Sequence, residues 1–215
     1  MKRWIFAALA AAFVLVPAVA AAQDARLRAA LPAPVAATVQ AVVDSARAEG
    51  LPAEPLTAKA LEGASKGADP TRIVASVRTL AGRLRTAREA LGPAAGEAEL
   101  TSAAAALYLG VTPADLRRVR TGAQRGRTLA PAYVALAFLV QQGVPADAST
   151  GIVARLVEAR ASDGDFAVLQ RQVAADVRAG AQPAAAASAR ARGLIIARPA
   201  GAAPNLAAPG AEERP

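Results

Sequence analysis

The sequence predicts an all-α protein, because three observations agree. Apolar residues recur every three or four positions over most of the chain, which is the spacing of one helix face. β-branched residues do not alternate with polar ones over a useful length, so no strand is predicted. Corners between helices recur along the chain. Each combines a glycine, which ends one helix in the left-handed conformation, with a proline in the first turn of the next. These corners are GLPAEPL from Gly50, GADPTRI from Gly67, GVTPADL from Gly110 and GVPADAS from Gly143.

Between these corners we expect a single domain of about seven or eight short helices. The predicted helices span residues 34–49, 55–66, 70–91, 97–109, 113–121, 131–142, 148–160 and 165–179. The clearest apolar stripe runs along the third helix, from Ile73 to Leu91. The segment PAYVALAFLVQQ, from Pro131, is apolar on all sides, which predicts the central buried helix. The uneven spacing of the corners suggests an array of helix-turn-helix units without a clean repeat.

The first 22 residues have the pattern of a secretory signal peptide. Lys2 and Arg3 give a positive start, residues 5–16 are apolar, and Pro17 precedes a run of small residues that ends at Ala22. Cleavage after Ala20 or Ala22 would release an exported chain, periplasmic or secreted, that is not an integral membrane protein. A retained N-terminal anchor is the alternative, because residues 4–22 are nearly long enough to span a bilayer.

The rest of the chain divides into a helical domain, residues 23–180, and a tail, residues 181–215. The tail is low in complexity and rich in Pro, Gly and Ala, so we expect it to be largely disordered, most clearly from Gly193 on. The alternative for its first part, AQPAAAASARAR, is a frayed helix. Without Lys2 and Arg3, 23 of the 25 basic residues face 17 acidic ones, and the exported chain is still basic. A basic exported protein can meet anionic lipid or an acidic envelope polymer.

The missing residue types exclude several kinds of chemistry. The chain has neither histidine nor cysteine, which removes Ser-His-Asp and Cys-His catalysis, thiol redox chemistry and the usual zinc and haem ligands. Few aromatic residues remain after the signal peptide, so a platform for stacking bases or sugars is not expected. We therefore predict no catalytic residue, no metal site, no cofactor and no nucleic-acid partner.

The segment GASKG, within KALEGASKGADPTRIV, has the glycines and lysine of a phosphate-binding loop. A phosphate loop, however, has its lysine after the second glycine and follows a strand. Lys59, Glu62 and Lys66 are spaced as charge pairs on one helix face, with Gly67 as the helix stop and Asp69 as the cap of the next helix. We therefore interpret the segment as a corner between two helices.

This segment resembles one in a family of exported, Ala- and Arg-rich helical bacterial proteins without an assigned activity. The shared pattern is Lys-x-x-Glu-Gly-x-x-Lys-Gly followed by Arg-Ile-Val. In this chain the matching residues are Lys59, Glu62, Gly63, Lys66, Gly67, Arg72, Ile73 and Val74. The resemblance implies an exported helical domain and no particular chemistry. Because Lys59, Glu62 and Lys66 recur in that family, they are candidate contacts for a partner.

The densest basic cluster lies in LRRVRTGAQRGRT. We call it the arginine cluster, and its members are Arg117, Arg118, Arg120, Arg125 and Arg127. It is a candidate site for phosphates of lipopolysaccharide or phospholipid. The alternative is a solvated helix end, where cations are favoured by the helix dipole.

No pair of carboxylates in the sequence has the spacing of a general acid and base. Glu97 and Glu99 lie two residues apart, so they point to different sides of a helix. The preferred function is thus a non-catalytic helical module that contacts a protein partner or itself. The alternatives are a binder of anionic envelope surfaces through the arginine cluster and a hydrolase that uses carboxylates alone.

Overall fold

The computed structural model describes residues 24–124 and 126–197, and every regular element within these ranges is a helix. The helices are α1 (24–30), α2 (Ala33–Ala48), α3 (Glu54–Ser65), α4 (Pro70–Leu91), α5 (Glu97–Tyr108), α6 (Pro113–Thr121), α7 (Ala130–Gln141), α8 (Ala146–Glu158), α9 (Asp163–Arg178) and α10 (Pro183–Ile196). The all-α prediction is confirmed. The expected count of seven or eight helices is wrong, since the described ranges contain ten. The predicted signal peptide and residues 198–215 of the tail lie outside them.

The two additional helices are α1 and α10. Helix α1 is short, and Leu27 and the nearby Leu31 fix it to the domain by burying their side chains. Helix α10 occupies most of residues 181–197, where a disordered tail was expected. Its small buried side chains, such as Ala187, pack against α8 and α9, and Arg190 forms two hydrogen bonds of 2.7 Å with Asp176 of α9. Low complexity therefore does not prevent order here, because alanine is the best helix former and this segment has a surface to bury against.

The helices form two layers. In one layer α4 packs between α2 and α6, and α8 packs between α6 and α10. In the other layer α7 packs between α5 and α9. Hairpins such as α4–α5, α7–α8 and α9–α10 connect the layers. Helices two apart in the chain are thus neighbours, as in an array of helix-turn-helix units.

The glycines of all four predicted corners take the left-handed conformation, and a proline lies in the first turn of the next helix at three of them; at the fourth, Pro145 is the N-cap of α8. Gly67 has a φ of +62°, so it takes the left-handed conformation that ends α3, and Gly110 does the same after α5 with a φ of +93°. Asp69 caps α4 by accepting a hydrogen bond from the Thr71 amide at 2.8 Å. Thr112 and Asp115 form the two reciprocal hydrogen bonds of a capping box at the start of α6.

The central helix is only partly as predicted. Helix α7 buries Tyr133, Leu136 and Leu139 completely, which confirms that it belongs to the core. The expectation that it is buried on all sides is wrong, because 47 % of Val134 is exposed. A helix inside one layer of a two-layer array still has an outer face, even when that face is apolar.

Glycine allows α3 and α4 to pack closely. A Cβ atom at Gly63 would lie 2.9 Å from the Cγ1 atom of Ile73, which is closer than two carbon atoms in contact can be. Ile73 is itself buried. Gly63 and Ile73, which belong to the Glu-Gly and Arg-Ile-Val parts of KALEGASKGADPTRIV, therefore meet where α3 and α4 cross.

We predict that Gly63→Ala lowers the free energy of unfolding by about 1–3 kcal/mol, because the added methyl group must displace a buried side chain. Gly82→Ala is the matched control, since Gly82 also lies within a helix and no atom stands within 4 Å of its Cβ position. That change should be neutral or stabilising by up to about 1 kcal/mol. Urea unfolding followed by circular dichroism checks both, and equal effects at the two positions would contradict the close crossing.

Candidate functional site

A buried polar junction joins α5, α6 and α7. Glu99, on the first turn of α5, is 5 % exposed. Its Oε1 atom accepts a hydrogen bond of 2.5 Å from the amide of Leu129, the residue that precedes α7. Its Oε2 atom lies 3.5 Å from the guanidinium of Arg120 on α6. One carboxylate oxygen therefore holds the start of α7, and the other faces α6.

Tyr133 of α7 adjoins this junction. Its hydroxyl group donates a hydrogen bond of 3.2 Å to the carbonyl oxygen of Leu116 on α6. Burial raises the pKa of the Tyr133 hydroxyl above its usual value, while the neighbouring Arg120 opposes that rise. Tyr133 thus remains protonated and acts as a hydrogen-bond donor between two helices.

The structure distributes the arginine cluster among separate carboxylates. Arg118 lies 3.3 Å from Asp147 of α8, and Arg127 lies 3.1 Å from Asp163 of α9. Arg120 belongs to the buried junction. Arg117 is exposed on α6, and Arg125 lies outside the described residues. Among the described members, three of the four therefore have a carboxylate neighbour, and they do not converge on one anion site.

The triad of Lys59, Glu62 and Lys66 lies on the exposed surface of α3. Glu62 accepts a hydrogen bond of 2.9 Å from Lys59 and a second one from Lys66. The two ammonium groups, Lys66 foremost, lower the pKa of the Glu62 carboxyl from its usual 4.5 to about 2. This confirms the predicted charge pairing, and it leaves the role of these residues in partner contact a prediction.

An open groove of about 260 Å³ lies between α2 and α4. Its floor is apolar, with Ala41, Val42 and Ala81. Arg85 at its edge is bound to Glu49 through two hydrogen bonds of 2.5 and 2.7 Å. Arg78, also on α4, is the other arginine that lines the groove. The groove is shallow, and one of its two arginines is already paired with a carboxylate.

A different surface lies on the outer side of α5 and α7. The outward residues of α5 include Thr101, Ala105 and Tyr108, and those of α7 include Val134 and Phe138. We call these five residues the uncharged face. Residues 100–114 and 128–146 contain no charged side chain at all, in a protein of which 20 % of the residues are charged. Helix α7 and the part of α5 that follows Glu99 therefore carry no charge, and these two helices pack side by side.

Tyr108 is the most exposed large side chain of the uncharged face, with 67 % of its surface accessible. The guanidinium of Arg83, on α4, lies 4.6 Å from the centre of its ring. A cation above an aromatic ring at this distance is attracted by the electrons of the ring and restricts its motion. Tyrosine and arginine are also the residue types most enriched at the energetic centres of protein interfaces.

The lack of charged residues over two long runs of the sequence could have indicated this surface, although helical periodicity does not. Periodicity identifies residues that face the core, whereas the two charge-free runs also leave the outward positions of α7, and those of α5 from Thr101 onward, without charge. Arg83 and Tyr108 are 25 positions apart, and only the α4–α5 hairpin brings them together. No periodic pattern predicts that contact.

No protein-family model, curated protein or solved structure matches the chain. Within residues 24–124 and 126–197, no group of three or more acidic side chains is arranged to hold a metal ion. In the same ranges, no helix is both long and apolar enough to cross a membrane.

We predict that the buried junction responds to substitution in a graded way. Glu99→Leu leaves the Leu129 amide and Arg120 without their acceptor and should lower the free energy of unfolding by about 3 kcal/mol. Glu99→Gln keeps a neutral acceptor and should cost about 1–2 kcal/mol. The exposed Glu89→Gln on α4 should change stability by less than about 0.5 kcal/mol. Urea unfolding measures all three, and a Glu99→Leu effect no larger than that of the control would argue against the junction.

A second prediction concerns how the ion pairs of Glu62 respond to low pH. Because the pKa of Glu62 is lowered to about 2, its ion pairs stabilise the fold fully above pH 4.5 and lose this effect as the pH falls towards 2. Carboxyl ¹³C NMR should therefore give a titration midpoint near 2 for Glu62. Lys66→Ala should raise that midpoint more than Lys59→Ala, since Lys66 is the stronger cause. A midpoint near 4.5 in the unchanged protein would show that the pairs do not persist in solution.

Proposed function

We propose that this protein is an exported, non-catalytic helical module that binds another protein through the uncharged face of α5 and α7. The observation that carries the proposal is the exposure of Tyr108 beneath Arg83, beside four further residues of the uncharged face. Interface centres are depleted in charge and enriched in aromatic residues and arginine. Arrays of stacked helices commonly bind partners along one extended face.

The electrostatics of the described residues favour this function over the alternatives. The arginine cluster is largely neutralised by Glu99, Asp147 and Asp163, which reduces its attraction for lipid phosphates. Glu99 is the one carboxylate with a buried side chain in the described ranges. Because its oxygens hold a backbone amide and Arg120, it is poorly placed to act as a general acid or base. The proposal of export depends on the N-terminal pattern alone.

Site-specific photocrosslinking in the native cell envelope tests this function. Benzoylphenylalanine at position 108 should give a protein adduct, whereas the same group at exposed Ala189 on α10 should give none. An adduct at position 117 with lipopolysaccharide or phospholipid, and none at position 108, would instead establish the anionic-surface alternative. Hydrolytic activity of the purified chain that a single Asp or Glu substitution abolishes would overturn the non-catalytic assignment.

A further inference from the structure

Net charge limits which surfaces of two copies of this chain can meet. The full sequence carries a formal net charge of +8, so two copies repel each other on average. The uncharged face is an exception, because two such faces can approach without repulsion between fixed charges. Net charge therefore does not oppose a second copy at this face.

The outer stripe of α5 has opposite charges at its two ends. Glu97 is exposed at the start of the helix, four positions before Thr101 on the same stripe. Tyr108 lies at the other end of the stripe, with the positively charged Arg83 above its ring. The Glu97 carboxylate and the Arg83 guanidinium each have no ion-pair partner among the described residues. With a rise of 1.5 Å per residue, about 16 Å of helix separates Glu97 from Tyr108.

Such a stripe is complementary to its own antiparallel copy. If two α5 helices lie antiparallel across a two-fold axis, Glu97 of each copy comes to the Tyr108 and Arg83 end of the other. Thr101 of each copy then lies beside Ala105 of the other, and these small side chains allow the two helices to approach closely. The contact is isologous, since each copy uses the same surface, and it closes at two subunits.

We propose that the uncharged face is a two-fold interface between two copies of this chain, with α5 packed antiparallel on α5 and Glu97 paired with Arg83 of the other copy. Val134 and Phe138 of α7 extend the apolar contact on one side of α5. The inference rests on the proposed function, because it names the partner that the same face binds.

Sedimentation velocity of the purified exported chain over a range of concentrations tests the interface. The unchanged protein should form a species of twice the mass of one chain. Glu97→Arg and Arg83→Glu should each weaken association about tenfold, because each places like charges at both ends of the contact. The double variant carrying both changes restores opposite charges, so its association should return to within about threefold of the original.

Two further variants separate local pairing from net charge. Glu89→Arg on α4 alters the total charge as Glu97→Arg does, and Arg192→Glu on α10 alters it as Arg83→Glu does. Both positions are exposed and lie off the uncharged face, so dimerisation should be unchanged. A protein that remains monomeric at every concentration, controls that weaken association as strongly as the test variants, or a double variant that is not restored would each overturn the two-fold interface. If the chain is monomeric but position 108 still crosslinks to a different protein, the self-association fails while the proposed function stands.

Discussion

The carboxylate of Glu99 ties three helices together: it accepts a hydrogen bond from the Leu129 amide at the start of α7 and lies beside Arg120 of α6 in the other layer. Helix α7 has no side-chain cap from its own N-cap residue, and Glu99 supplies an acceptor there from a different helix. A buried charge is tolerated only when its hydrogen-bonding capacity is used, and both oxygens of Glu99 have partners. By fixing where α7 starts relative to α5, this contact also sets the outward residues of the two helices side by side.

Small side chains allow α5 and α7 to lie side by side over a densely packed core. Ala103 and Ala106 of α5 and Ala132 and Ala135 of α7 are all fully buried. Alanine contributes little apolar area, so each buried residue stabilises the fold less than a leucine would. Its high helix propensity and the close helix packing that it allows compensate in part. Tyr133 and Phe166 are the two aromatic side chains that are fully buried in the described core.

Local chemistry was predictable, and long-range contacts were not. The glycine at position 67, the Asp69 cap and the Thr112–Asp115 capping box depend on residues within a few positions of one another, so their patterns can be recognised in a single sequence. The Glu99–Leu129 hydrogen bond spans 30 positions and has no periodic signature. Helix α10 was missed for a related reason: its order depends on burial against α8 and α9, which composition does not reveal.

Each helix of the described domain contacts mainly the helices next to it in the array, as α4, α6, α8 and α10 illustrate. The fold therefore resembles a linear series of units that stabilise one another in pairs. In such a system the stability of a unit depends on the pairs beside it, and fraying begins at the termini of the array. Helices α5 and α7 lie in its interior. Duplication or deletion of a helical pair in the gene would lengthen or shorten the array at the α10 end. Such a change would alter the size of the protein and leave the geometry of its interior helices intact.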